Sequence, residues 1–245
     1  MQYTTLGRTG LKVSVAGLGC GGSSRLGLEQ GHSEAHAVGI IRAAVDMGVN
    51  LIDTARGYGT EHVVGLALKE IPRDSLVIST KHKVAEGRTL DTVLSAAELI
   101  RGLDTSLKTL GTDYVDVYFL HTLFPAAYDH AINDFLPALK REQAKGKLRF
   151  VGVTEMAPFD PAHAMAARAA AEGHFDVMMF AFHMLAQGAR QNVFPPAIKN
   201  NIGTMIMFAV RSLFSVPGRL KRDVDALVDG GALPAWLKSR DNPLD

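Results

Sequence analysis

Hydrophobic runs typical of buried strands recur along the chain, and stretches with helical periodicity separate most of them. The strand-like runs occupy residues 13–18, 50–53, 76–80, 115–120, 150–153, 176–180 and 204–208. The helical stretches occupy residues 33–47, 61–69, 90–110, 131–145, 161–172 and 188–199. Alternating strands and helices indicate a parallel sheet with helices on its faces. Seven such units favour an α/β fold of the (β/α)8 TIM barrel type over an open six-stranded sheet.

The two ends of the chain depart from this repeat. Residues 2–14 predict a short hairpin with its turn near residues 7–10, ahead of the first barrel strand. Residues 219–229 predict a helix, and the tail 230–245 contains two prolines and no strand-like alternation. We therefore expect one domain over residues 1–245, a barrel truncated before its eighth strand, and a natural gene product that is longer than this chain.

Composition narrows the class of protein. The 245 residues are 47% hydrophobic and 21% charged, as in ordinary globular enzymes, and the net charge of +1 gives no case for a nucleic-acid or anionic membrane partner. A single cysteine, Cys20, excludes an internal disulfide framework. The sequence has no signal-like start and no apolar run of the roughly 18 residues that a membrane span needs. We expect a soluble cytoplasmic protein.

Four ionisable or phenolic residues stand at or near the ends of strand-like runs. Asp53 closes one run, Tyr58 follows five residues later, and Lys81 and His121 close the next two runs. Any one of them alone would more often be a structural residue. Because the carboxyl ends of barrel strands meet on one face, the four together predict a shared pocket.

These side chains suit proton donation to a carbonyl group. A tyrosine with an ordinary pKa of about 10 is a weak acid, and a nearby Lys81 ammonium would lower the pKa of Tyr58. Asp53 would pair with Lys81, and His121 would donate a hydrogen bond to the carbonyl oxygen. No side chain supplies a hydride, which indicates a nicotinamide carrier.

A glycine-rich segment, Gly17-Leu-Gly19-Cys-Gly21-Gly22, matches the spacing of a dinucleotide-binding loop. That motif should open a helix at once, whereas the next helical stretch here starts near residue 33. We favour a loop in which the backbone, at Gly21 for example, approaches a bound ligand closely. His32 and His36 are spaced like metal ligands on a helix, but no third ligand is evident, so we expect no metal site.

The segments LIDTARGYG, VISTK, DVYFLH and GKLRFVGVTE resemble those of the aldo-keto reductase family, in order and spacing, over about residues 3 to 220. The resemblance implies that Tyr58 is the general acid, that Asp53 and Lys81 tune it, and that His121 orients the substrate. It also implies NADPH, less often NADH, bound across the barrel mouth, and reduction of a small aldehyde or ketone.

The resemblance extends to the cofactor site with differences. Thr154 and Glu155 stand where the family has Ser-Asn against the nicotinamide amide, and Met179 stands in the sixth strand where glutamine is common. Phe208 matches the aromatic residue that stacks on nicotinamide. By the same resemblance, two loop residues lie over the pyrophosphate. They are Arg211 and Ser212.

Two rival functions stay open. One is a non-catalytic nicotinamide-binding or regulatory protein on the same scaffold, and the other is an inactive fragment. In the family, basic residues after the eighth strand hold the adenosine 2′-phosphate. Since no such segment is evident here, we expect weak NADPH binding with little preference over NADH.

Overall fold

The computed structural model describes residues 1–86, 92–157, 159–184, 186–209 and 216–239 of the 245-residue chain. The strands are β1 (Tyr3–Thr5), β2 (Lys12–Ser14), β3 (Leu18–Gly19), β4 (Leu51–Asp53), β5 (Val77–Lys83), β6 (Ala85–Glu86), β7 (Thr92–Val93), β8 (Val115–Leu123), β9 (Leu148–Glu155), β10 (Val177–Ala181) and β11 (Gly203–Met207). The α-helices are α1 (Glu34–Asp46), α2 (Glu61–Leu68), α3 (Ala96–Leu110), α4 (Tyr128–His130), α5 (Leu136–Ala144), α6 (Ala164–Glu172), α7 (Ala189–Asn192), α8 (Phe194–Lys199) and α9 (Arg219–Asp229). A π-helix, Ala131–Phe135, joins α4 to α5.

One seven-stranded sheet organises the fold, with its strands in the order β11-β10-β9-β8-β5-β4-β3. The neighbours from β3 through β10 pair in parallel. The central strand β8 is buried along most of its length, and Val117, Tyr118 and Phe119 have no exposed surface. Such burial requires cover on both faces, as helices provide in a parallel sheet. The (β/α) barrel class predicted from the sequence is confirmed.

The register of the central strands defines one inward face. Lys81 pairs with Phe119, which pairs with Gly152, and Thr154 pairs with Met179. Register partners project to the same side of a sheet, and so do residues two apart along a strand. Lys81, Phe119, Gly152, Thr154 and Met179 therefore share a face.

The N-terminal hairpin packs at the opposite end of the strands from their carboxyl ends. Its β1 and β2 pair antiparallel, with a 3-10 helix, Gly7–Thr9, at the turn, as predicted. The side chain of Asn50, which precedes β4, accepts from Ser14 N at 2.6 Å and donates to Lys12 O at 2.9 Å. Arg8 donates to Gly173 O at 2.8 Å, close to the start of β10. The hairpin thereby ties together strand beginnings that are far apart in sequence.

Several predicted boundaries are wrong. The run 13–18 is divided, because its first residues pair with β1 and only Leu18–Gly19 joins the main sheet. Helix α3 starts at Ala96, since Ser95 forms a capping box with Glu98 there, and the residues before it include β7. The stretch 188–199 is two helices, α7 and α8, with Pro195 in the first turn of the second.

The C-terminal segment agrees with its prediction. Helix α9 spans Arg219–Asp229, the predicted helical residues, and a 3-10 helix, Ala235–Ser239, follows. Within the described residues after β11, the chain forms these helices and no strand, so the described sheet has seven strands rather than eight.

The chain divides into two compact units. The larger comprises Met1–Phe180 and Gly188–Met205, and contains most of the sheet with α1 to α8. The smaller comprises Ala181–Gln187 and the described part of Ile206–Asp245, including α9, where Arg219–Asp223 and Lys221–Asp225 pair one turn apart. One domain over residues 1–245 stays a prediction. Among the residues described, no helix is long and apolar enough to cross a membrane.

A buried carboxylate joins three elements at the amino ends of the strands. Asp116 of β8 is 1% exposed and accepts from Arg73 Nη2 at 2.7 Å, Arg149 Nη1 at 2.8 Å and Ile78 N at 2.9 Å. A carboxylate removed from water this far needs such partners.

Asp116→Ala should lower the free energy of unfolding by about 3 kcal/mol, because it leaves a buried backbone donor and two guanidinium groups without their acceptor. Urea denaturation measures this loss. Asp113→Ala, at an exposed position three residues earlier, is the control and should change stability by less than about 0.5 kcal/mol. Equal effects of the two substitutions would contradict the structural role of Asp116.

Candidate active site

The four residues singled out in the sequence lie on neighbouring elements of the larger unit. Asp53 ends β4, Lys81 lies in β5 two residues before its end, and His121 lies near the end of β8. Tyr58 ends a short 3-10 helix, Arg56–Tyr58, that follows β4. Since β4, β5 and β8 are consecutive in the sheet, their parallel carboxyl ends bring these side chains together.

The Lys81–Asp53 ion pair is the centre of this cluster. Lys81 has no exposed surface, and its Nζ donates to both carboxylate oxygens of Asp53 at 2.6 Å and to Thr54 O at 2.9 Å. Ser79 Oγ donates to the same carboxylate at 2.6 Å. All three donor positions of the ammonium are used, so its burial is fully compensated.

The Tyr58 ring lies beside this pair and against His121. Lys81 Nζ is 5.2 Å from the centroid of the Tyr58 ring. The Tyr58 and His121 rings meet edge to face, with centroids 5.8 Å apart and planes at 86°. Gly21, which follows β3, packs directly on the Tyr58 ring. The structure thus brings Asp53, Tyr58, Lys81 and His121 together in one cluster, and their role as a shared site stays a prediction.

The pKa of Tyr58 differs from the expectation. Burial raises the pKa of the phenol well above its usual value, and the negative charge of Asp53 and the nearby Cys20 raise it further. These effects outweigh the influence of the Lys81 ammonium, which is in direct contact with Asp53. The lowered pKa expected for Tyr58 is therefore wrong, and Tyr58 stays protonated throughout the neutral range.

His121 is set by an irregularity in β8. The register with β9 shifts between Leu120 and Leu123, and Thr122 has a φ of 57°, a conformation that β-branched residues rarely adopt. Thr122 N donates to Thr154 Oγ1 at 2.8 Å, and Thr122 Oγ1 donates to His121 O at 2.6 Å. β-Bulges of this kind redirect side chains next to active sites. Sequence reasoning missed Thr122, because a positive φ at threonine has no signature in the sequence.

The imidazole of His121 is kept neutral. Burial lowers the pKa of His121 to about 3, and the positive charges of Lys81 and His82 contribute in the same direction. His82 itself points out of the cluster, as expected, and its ring packs on Gly102 of α3.

The residues predicted to contact the cofactor fall into three groups. Thr154 and Met179 are buried register partners on the inward face, and Gly21 lies in the cluster. Phe208 follows β11 in the smaller unit, with a φ of 67°. Arg211 and Ser212 lie outside the described residues. Cofactor contact by these residues stays a prediction.

A buried acid–imidazole pair also lies at the end of β9. Glu155 Oε2 is 2.7 Å from His163 Nδ1, and both side chains are almost fully buried. His163 precedes α6 with a φ of 57°. The sequence identified Glu155 only as a departure from the family's Asn, and it did not predict His163 as its partner. The pair joins the end of β9 to the residue that precedes α6, a contact that hydrophobic periodicity does not predict.

The pKa of His121 generates a pH prediction. An unfolded histidine with a pKa of 6.5 binds a proton below that pH, whereas folded His121 does not until about pH 3, so stability is lost as the pH falls through this window. At about 1.4 kcal/mol per pH unit, the wild-type chain should lose about 2 kcal/mol more than His121→Asn between pH 8 and pH 5. Urea denaturation at both pH values measures this difference. Parallel losses in the two proteins would show that His121 titrates normally.

Comparison with known proteins agrees with this geometry. The model of the Aldo/keto reductase family matches residues 18–219. L-galactose dehydrogenase from Arabidopsis thaliana is 35% identical over 167 residues, which cover 65% of this chain and 50% of that protein. The NADH-specific methylglyoxal reductase of Escherichia coli (strain K12) is 27% identical over 248 residues, which cover 95% of this chain and 73% of that protein.

Solved structures of aldo-keto reductases have a similar fold. An aldo-keto reductase from Bacillus halodurans, solved in its holo form, superposes with a TM-score of 0.68 at 24% identity, covering 84% of this chain and 65% of that chain. The chain thus spans about half the length of the plant dehydrogenase and about two thirds of the solved structure. The family model covers most of the chain, including Asp53, Tyr58, Lys81 and His121, and the chain belongs to the aldo-keto reductase family.

Proposed function

We propose that this protein is a nicotinamide-dependent oxidoreductase that reduces an aldehyde or ketone to an alcohol, or catalyses the reverse reaction. The observation that carries the proposal is the cluster around the Tyr58 ring. The centroid of that ring lies 5.2 Å from Lys81 Nζ, and the ring meets the His121 ring edge to face. The cofactor expected from the sequence is NADPH, with NADH possible. When bound, the nicotinamide supplies the hydride for the carbonyl carbon.

Tyr58 is the proposed general acid. As hydride reaches the carbonyl carbon, negative charge develops on the carbonyl oxygen, which becomes far more basic than a phenol. The raised pKa of Tyr58 keeps its proton in place until that moment. In the reverse direction the phenolate oxygen of Tyr58 would receive the proton of the alcohol, and the raised pKa of Tyr58 disfavours that ionised starting state at neutral pH.

Lys81 and Asp53 hold the phenol in position and set the local charge. Their contact at 2.6 Å leaves the pair close to neutral overall, so the cluster favours neither a resting tyrosinate nor a bound anion strongly. His121, neutral at physiological pH, can donate one N–H to the carbonyl oxygen, as oxyanion-stabilising groups do.

The residues near the cluster fit a nicotinamide amide. Thr154 Oγ1 accepts from Thr122 N, so its hydroxyl hydrogen can donate to an amide oxygen. Met179 beside it offers an apolar, adaptable surface of the kind that borders a flat ring. Thr154 and Met179 would therefore hold this part of the cofactor, with Gly21 nearby.

The proposed substrate is a small polar carbonyl compound or its alcohol. The names of two relatives, for L-galactose and for methylglyoxal, refer to small oxygen-rich molecules. The proposed chemistry of the cluster involves only the carbonyl group of the substrate. A cytoplasmic location, expected from the sequence, belongs to the same proposal.

Tyr58→Phe removes the proton donor and leaves the ring. We expect turnover of a panel of small aldehydes to fall by roughly 10²–10⁴-fold. The loss of NADPH or NADH absorbance measures this turnover. Fluorescence titration should show both cofactors binding Tyr58→Phe as they bind the wild type. Tyr3→Phe, which alters a phenol of the distant hairpin, is the control and should retain full turnover.

Two results would reject this proposal. Near-normal turnover by Tyr58→Phe would remove Tyr58 from the chemistry. Cofactor binding by the wild-type chain without any turnover across the panel would favour the non-catalytic alternative.

Asp53 and Lys81 should act as one unit. Asp53→Asn and Lys81→Met each break the same ion pair, so we expect the double variant to lose no more kcat/KM than the more severe single variant. Steady-state kinetics of the three variants measures the coupling. Losses that multiply would show that the two residues contribute independently.

A further inference from the structure

Gly21 lies closer to the Tyr58 ring than any residue with a side chain could. A Cβ added at Gly21 would lie 2.5 Å from Tyr58 Cε2, 2.7 Å from Cδ2 and 2.8 Å from Cζ. Carbon atoms in ordinary contact are at least 3.4 Å apart, so the ring and an alanine could not both keep their places. The colliding atoms include Cζ, which carries the phenol oxygen, and its neighbour Cε2.

The requirement for glycine at position 21 comes from this contact and not from the backbone. Gly21 is absent from the residues with positive φ, so its conformation suits an L-amino acid. The neighbouring Gly22, with a φ of 76°, is the residue of the pair that needs glycine for its backbone. Position 21 therefore requires glycine because of the Tyr58 ring and not because of its backbone conformation.

The other sides of the ring are also occupied. Lys81 Nζ lies 5.2 Å from its centroid, and the His121 ring meets it edge to face at 5.8 Å. The backbone of Tyr58 is held in a 3-10 turn by a hydrogen bond to Ala55 O at 3.0 Å. A ring displaced by about 1 Å from Gly21 would lose its alignment with Lys81 and His121, and displacements of this size can cost about 100-fold in rate.

We propose that Gly21 is a positioning residue for the proton donor: its bare backbone is the surface against which the Tyr58 ring is seated. This inference rests on the proposed function, and it assigns to Gly21 a role other than the cofactor contact expected from the sequence. A cofactor contact would act on the affinity for NADPH, whereas a seat for Tyr58 acts on turnover.

The first experiment compares Gly21→Ala with Gly57→Ala. Gly57 adjoins Tyr58 in the chain, is exposed, and has open space where a Cβ would be, so it is a matched control. With NADPH and a small aldehyde, we expect Gly21→Ala to lower kcat about 100-fold and to leave the NADPH dissociation constant, from fluorescence titration, within about two-fold of wild type. Gly57→Ala should match the wild type in both. Unchanged kcat, or a weakened NADPH affinity that accounts for the loss, would overturn the inference.

The second experiment is independent of activity. Thermal unfolding midpoints are measured for the wild type, for Gly21→Ala, for Tyr58→Ala and for the double variant. The substitution should lower the midpoint where the ring is present and have little effect where the ring is gone, because the added methyl group then has room. Equal shifts in the two backgrounds would show that Gly21 does not seat the ring.

The two experiments separate the two hypotheses. A wild-type chain without turnover would reject the proposed function, and the unfolding midpoints would still decide whether Gly21 seats Tyr58. A chain with turnover and uncoupled midpoints would reject the role of Gly21 alone.

Discussion

The ion pair between Lys81 and Asp53 is the interaction on which the candidate site depends. A fully buried ammonium is tolerated only with a compensating charge and satisfied donors, and Asp53 and Thr54 O supply both. The pair joins β4 to β5 near their carboxyl ends. The Tyr58 and His121 rings contact each other at the same end of the sheet. An apolar pair of similar volume would stabilise these strands at least as well, so the retention of charge here argues for chemistry rather than for folding.

Burial determines the protonation states of the two groups beside that ion pair. Burial, together with the negative charge of Asp53, raises the pKa of Tyr58, which stays protonated. The same burial keeps His121 neutral. The cluster consequently presents a neutral phenol and a neutral imidazole, both able to donate a hydrogen bond, beside a closed ion pair. A carbonyl oxygen that gains negative charge only during reaction suits this polarity better than a substrate that arrives charged.

The sequence predicted what depends on topology and missed what depends on local paths. Convergence of Asp53, Lys81 and His121 follows from parallel strands that end on one face, and α9 was predicted to the residue because Val224 and its helical neighbours keep a clear period. The positive φ of Thr122 and the Glu155–His163 pair depend on how a bulge and a loop turn, for which hydrophobic periodicity carries no information. The direction of the Tyr58 pKa was missed for another reason, since burial of the phenol, which raises its pKa, follows from tertiary packing.

Three glycines in close contact with ring side chains also shape the surroundings of the cluster. Tyr58 rests on Gly21, the Phe119 ring occupies the space over Gly152, and the His82 ring occupies the space over Gly102. Phe119 is the register partner of Lys81, and Lys81 Nζ lies 5.8 Å from the centroid of the Phe119 ring that covers Gly152. His82, the next residue after Lys81, is held outward by α3, which turns Lys81 inward because successive side chains of a strand alternate. The geometry of the cluster thus depends on three positions without side chains as well as on Asp53, Tyr58, Lys81 and His121.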